Sequence, residues 1–180
     1  RAKGGDANAL YEAYLDRAPA GFHTDEALFR IGDSAHQRGD YATSLRTLGR
    51  LIAGFPTSPF RPDALLRRSR AARALGDGEM ATADLKRTIE EFPDHLVTVY
   101  ARFDLAVRQM EEDRPELAVV TLQPLLDRGD LTDLEPSIRL ESARANLRAG
   151  DATRALSLLA GAESIEAHGI SGEALLSLSR

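Results

Sequence analysis

Apolar residues recur along this chain at steps of three and four, in stretches separated by short polar breaks, which is the period of amphipathic helices packed on one face. The pattern predicts helices over residues 6–17, 24–38, 41–54, 61–75, 78–91, 95–111, 115–128, 136–149, 152–160 and 171–180. Prolines punctuate the scheme. Pro19, Pro56 and Pro93 stand 37 residues apart, each just past an expected helix, where a residue without an amide proton and with a fixed φ does no harm. Pro62, Pro115 and Pro136 fit first turns, whose amides have no intrahelical partner. Pro124 falls inside "LAVVTLQPLLDRG" and predicts a bend or early unwinding there.

The breaks have a rhythm of their own. Asp6, Asp40, Asp77 and Asp151 each follow a Gly, and Asp113, in "EEDRPELA", falls between them without one; the steps are 34, 37, 36 and 38 residues. A helical stretch follows each and, apart from Asp6 near the start, precedes each, so the pair predicts a tight helix-to-helix connection. Gly takes the left-handed conformation that closes one helix, and Asp caps the next by accepting from its free amides. On this reading Arg38-Gly39-Asp40, a tripeptide that extracellular proteins use for adhesion, is one turn of the series. A second copy, Arg128-Gly129-Asp130, lies off the rhythm, where Gly again terminates a helix.

With 180 residues, 43% hydrophobic and 28% charged, the chain suits a single domain able to bury a continuous interior. No apolar run approaches the roughly 18 residues that span a bilayer, so direct membrane insertion is not expected. A net charge of -5 and a pI near 5.4 disfavour nucleic acid as a partner, since a phosphate-binding surface needs a basic excess. Without cysteine, disulfides, thiolate catalysis and cysteine-ligated metals are excluded. The chain opens on Arg1, and "GEALLSLSR" at 172–180 has the spacing of an opening helix, so a piece of a longer protein is expected.

These repeats resemble the tetratricopeptide repeat. In "EALFRIGDSAHQRGDYATSLRTLGRLIAGFP" the pattern matches at Leu28, Ile31, Gly32, Ala35, Tyr41, Ser44, Leu48 and Pro56, and in the next unit at Leu65, Ser69, Ala72, Ala81, Leu85 and Pro93. Arg68 departs from it, where the family prefers an apolar residue. The third unit supplies Leu105, Ala106, Ala118, Leu122 and Leu125, the fourth Ala143, Ala155 and Leu159. Small residues at Gly32, Ser69, Ala106 and Ala143 and leucines at 48, 85, 122 and 159 each step by 37, so that paired helices approach closely over one recurring apolar contact. The resemblance implies an all-α fold, a right-handed α-solenoid of about four to five hairpins over residues 1–180, acting as an interaction scaffold.

In such folds the first helix of each hairpin lines a concave groove, which implies a partner-binding set of Phe29, Asp33 and His36, then Leu66, Arg70 and Arg73, then Tyr100, Phe103, Val107 and Met110, then Leu140 and Arg144. Apolar and aromatic groups mixed with arginine anchor protein interfaces, so a protein or peptide segment is the expected partner. Chaperone-binding members grip terminal carboxylates with Lys and Asn; Phe29 and Asp33 occupy those places here and exclude that clamp. The basic run "RRSRAAR", Arg67 to Arg73, has two open readings: a patch attracting acidic segments of a partner, or a solvated face paired with nearby acids.

Catalysis finds little footing. His23, His36, His95 and His168 lie in different repeats without metal-ligand spacing, "QMEEDRPE" places its carboxylates on a turn, and no phosphate-binding loop or nucleophile elbow occurs. The chain is therefore expected to be no enzyme and to need no cofactor or metal. The cadence "AGFPTSPFRPDALLRRSRAARALGD" is similar to bacterial envelope proteins, the Tol-Pal coordinator kind and the lipoproteins that help assemble outer-membrane barrels. That implies a periplasmic or envelope scaffold; the alternative is a sensor or docking domain of a larger cytoplasmic regulator or enzyme.

Overall fold

The computed structural model describes residues 4–19, 21–128, 131, 134–160 and 164–179. Among them all regular structure is helical, in the order α1 (Gly4–Arg17), α2 (Thr24–Gln37), α3 (Tyr41–Gly54), α4 (Arg61–Ala74), α5 (Gly78–Glu91), α6 (Val97–Glu111), α7 (Pro115–Leu126), α8 (Glu135–Arg148), α9 (Ala152–Leu158) and α10 (Ile165–Leu178). The chain divides into two compact units, Arg1–Ala101 and Arg102–Arg180.

Four connections, after α2, α4, α6 and α8, share one backbone device. Residues 39, 76, 113 and 150, spaced by 37, have left-handed φ angles of 80°, 82°, 58° and 90°. In each case the amide of the following residue donates to a carbonyl five residues back: Asp40 to Ala35 at 2.9 Å, Asp77 to Ala72 at 2.9 Å, Arg114 to Gln109 at 2.8 Å and Asp151 to Asn146 at 2.8 Å. This pattern satisfies carbonyls that the helix end leaves open, and it needs a left-handed residue to form. The next helix starts at once, with the carboxylates of Asp40, Asp77 and Asp151 accepting from the amides of Thr43, Met80 and Arg154.

The third connection corrects the expected rhythm. Asp113 does not cap α7; it takes the left-handed place that Gly holds elsewhere, and Arg114 stands at the cap without a side-chain bond. Aspartate tolerates that conformation better than most residues, which explains the missing Gly. Arg38-Gly39-Asp40 is fully occupied as C-cap, left-handed residue and N-cap. Of the second tripeptide, Gly129 and Asp130 lie outside the described residues.

Other boundaries shift for local reasons. Asp6 falls within α1, which starts at Gly4. Helix α6 begins at Val97 rather than 95, because the His95 ring accepts from the Val97 amide at 3.2 Å and holds the approach non-helical. Helix α7 ends at Leu126, two residues beyond Pro124, in line with early unwinding. The largest change is α10, which begins at Ile165 and not 171; Ser164 caps it by accepting from the Ala167 amide at 3.1 Å.

Within the first unit α1, α2, α3, α4 and α5 pack in succession, and α2 also meets α4; within the second, α7, α8, α9 and α10 do the same, and α8 also meets α10. First helices thus lie side by side within each unit, α2 with α4 and α8 with α10. Leu28, Leu48, Leu51 and Leu65 are buried at the centre of the first unit, Ala143, Ala155 and Ala174 in the second. Gly32 shows how close the paired helices come: a Cβ there would lie 2.6 Å from Leu48 Cγ. Its counterparts Ser69, Ala106 and Ala143 are buried, as are Leu85, Leu122 and Leu159.

Candidate partner-binding groove

In the first unit the outward faces of α2 and α4 carry the first half of the expected groove. Phe29 is half-buried and stacks on Phe60 of the α3–α4 connection, ring centroids 5.2 Å apart, so its ring is shared between surface and core. Asp33 lies 2.8 Å from the Arg67 guanidinium and accepts from Gln37 at 2.7 Å. His36 meets Tyr41 edge-on at 5.3 Å. Burial holds the His36 pKa below its ordinary value; the positive charges of Arg67 and Arg70 push the same way, and Asp33 opposes them. Leu66 is buried, Arg70 half-buried and Arg73 exposed.

A recess of about 350 Å³ opens beside α4, bounded by Leu66, Arg67 and Arg70 on one side and by His95, Leu96 and Tyr100 on the other. Leu96 and Tyr100 are 59% and 38% exposed, an apolar edge beside arginines. The run from Arg67 to Arg73 is partly explained by internal pairing: Arg67 faces Asp33, and Arg68 donates twice to Asp84 of α5.

In the second unit a larger recess of about 570 Å³ is lined by α6, α8 and α10. The structure brings the expected Val107, Met110 and Arg144 together there, while Phe103 and Leu140 are half-buried, Leu140 against the core of its own unit. Arg144 sits 3.3 Å from both Glu141 and Glu166. Arg148 donates to Asp113 at 2.5 Å and to the Met110 carbonyl at 3.0 Å, tying α8 to the α6–α7 turn.

Of the wall supplied by α10, Glu173 falls within the expected helix, whereas Glu166 and Ile170 lie in turns before its expected start at 171. The signal existed: Ala167, Ile170 and Ala174 recur at steps of three and four and are all buried. Among the described residues no three His, Cys, Asp or Glu side chains converge as metal ligands, and no helix is long and apolar enough to cross a membrane.

Residues 23–139 match the family model YfiO, described as an outer membrane lipoprotein, and that span is well over half of the chain. The chain belongs to this outer membrane lipoprotein family. Solved structures agree on the fold. A thermophilic tetratricopeptide protein from Thermus thermophilus, TTC0263, superposes with a TM-score of 0.59 at 21% identity, over 96% of this chain and 91% of that one. A protein described as a kinesin light chain with nearly identical tetratricopeptide-like repeats, from Podospora anserina, gives 0.69 at 16% identity, covering 94% and 88%. The MamA protein gives 0.62 at 16% identity, covering 97% and 90%. No curated protein matches. These likenesses show an α-solenoid of tetratricopeptide-like hairpins, as the resemblance in the sequence implied.

Proposed function

We propose that this chain is a non-catalytic scaffold that holds a protein or peptide segment of a partner against the first-helix face of its hairpins, within an assembly of the bacterial cell envelope. One observation carries the reading: in each unit first helices border an open recess lined by both apolar and charged side chains. Such a surface gains binding free energy by burying apolar area while ion pairs fix orientation. Family membership supports the envelope as the site of action. Nucleic acid is a poor fit to a chain of net charge -5.

Affinity capture from the native organism tests the proposal. The chain carrying Arg70→Glu and Arg73→Glu, and separately Tyr100→Ala with Val107→Ser, should lose the proteins that the unaltered chain retains while keeping its helical circular dichroism. Val120→Ser, at an exposed position of α7, serves as the control. Recovery of the same proteins by all forms would place the docking surface elsewhere.

A further inference from the structure

The recess in the second unit has a marked chemical bias. Its floor is apolar, formed by Val107 and Met110 of α6, Leu147 of α8 and Ile170 of α10. Around the floor stand four carboxylates, Glu111, Glu141, Glu166 and Glu173, against two guanidinium groups, so the lining carries a net charge of about -2 at neutral pH. Both guanidinium groups already face acids: Arg144 lies between Glu141 and Glu166, and Arg148 reaches Asp113 and a backbone carbonyl. An arriving anion would meet arginines already engaged by acids, and although Glu141 and Glu166 are engaged with Arg144 in turn, the lining's carboxylates outnumber its guanidinium groups four to two, which favours a cation. Gly169 has open space where a side chain would stand, so the α10 backbone leaves the recess accessible from that side.

We propose that this recess receives a basic residue of a linear partner segment, a Lys or Arg flanked by aliphatic side chains. The inference rests on the scaffold reading above and specifies the chemistry of its partner. Lys and Arg suit the site because each combines an apolar stem with a charged tip. The stem and the flanking aliphatic groups cover Met110 and Ile170, and the tip is drawn to Glu173 on the α10 wall, with Glu166, which Arg144 also faces, beside it. A volume of about 570 Å³ admits one long side chain and its neighbours. Long-range attraction by the acidic rim speeds encounter and disfavours acidic segments.

The chain has two methionines, Met80 and Met110, so a methyl-labelled sample gives a two-signal spectrum in which Met80, in the first unit, is the internal reference. The probes are three heptapeptides of Val and Leu around a central Lys, Glu or norleucine, titrated into the whole chain. The Lys peptide should shift Met110 and leave Met80 in place, and the norleucine peptide should bind about tenfold more weakly or worse. Glu166→Gln combined with Glu173→Gln should weaken the Lys peptide by a similar factor, as should raising salt from about 50 to about 300 mM. Equal binding of the Lys and Glu peptides, or no Met110 shift at all, overturns the proposal. Affinity capture by the same Gln variant separates it from the scaffold reading. If the Lys peptide fails yet Tyr100→Ala with Val107→Ser abolishes capture, the basic-residue socket falls and the scaffold stands. If the peptide binds and capture ignores the groove, the reverse holds.

Discussion

Arg68 of α4 grips Asp84 of α5 with two parallel bonds, Nε to Oδ2 at 2.8 Å and Nη2 to Oδ1 at 2.6 Å, and the Asp84 side chain is only 4% exposed. One repeat earlier the equivalent positions hold Ile31 and Thr47, both buried. An ion pair thus stands where the first hairpin has two buried uncharged residues, one on each helix, and Arg68 holds the position where the repeat pattern prefers an apolar residue. Removing only the cation leaves a desolvated carboxylate, so Arg68→Ala should cost about 3–5 kcal/mol. Arg68→Ile with Asp84→Thr, which copies the first hairpin, should lie within about 2 kcal/mol of the unaltered chain or above it. Urea titration of the three forms decides the matter; equal losses in the single and double variants would show that the pair is not coupled.

Gly32 faces Leu48 so closely that any side chain collides. Gly32→Ala should destabilise despite the higher helix propensity of alanine, and Gly32→Leu should cost about 1–3 kcal/mol or more through overpacking. Leu48→Ala opens a cavity of its own, but in the Gly32→Ala background it also relieves the clash. A double-mutant cycle should therefore give a favourable coupling of about 0.5–3 kcal/mol. Strict additivity would mean that the helices move apart freely and that this contact does not set their spacing.

The four left-handed residues do equivalent work with unequal comfort. Gly76→Ala should lose about 1–2 kcal/mol, since its φ of 82° suits only a residue without Cβ. Asp113→Gly should differ, because it relieves a similar conformation while giving up an exposed pair with Arg148, and a net change within about 1 kcal/mol is expected. Asp113→Val, branched at Cβ, should behave like Gly76→Ala or worse. Thermal melts of the three variants check the order; a loss for Asp113→Gly matching that for Gly76→Ala would make Asp113 a cap after all.

Which parts of this molecule could be read from its sequence depended on how local the determining signal was. Helices α3 and α5 matched their expected limits because Gly-Asp before them and aromatic-Pro after them act within a few residues. The third turn was misregistered because aspartate does two jobs in these repeats, capping a helix and tolerating a left-handed φ; the constant step of 37 from Gly76 to Asp113 was the better guide. Gly169 and Gly172 interrupted the apolar pattern of α10 and hid its first turns, and with them part of one wall of the second recess. Projecting helix faces placed Phe29 outward, but its ring packs partly against the core and on Phe60, which arrives from a loop that no helical wheel includes. Pairing among charges was likewise invisible, since Arg67 meets Asp33 across 34 positions in the chain.

His36 ties the first unit to pH. Its Nδ1 is enclosed and has no hydrogen-bond partner among the described residues. Arg67 and Arg70 add to the burial that lowers its pKa, and Asp33 only partly offsets them. A depressed folded pKa means that the folded chain binds fewer protons than the unfolded one between the two values. The associated stability is complete above the unfolded histidine value, about 6.5, and is lost as pH falls through the lowered folded value. The unaltered chain should therefore lose stability on going from about pH 7.5 to about pH 5.5 more steeply than His36→Gln, which has no proton to take up. Urea midpoints of both forms at the two pH values measure the difference, and parallel slopes would mean that His36 protonates as readily in the folded chain as in the unfolded one.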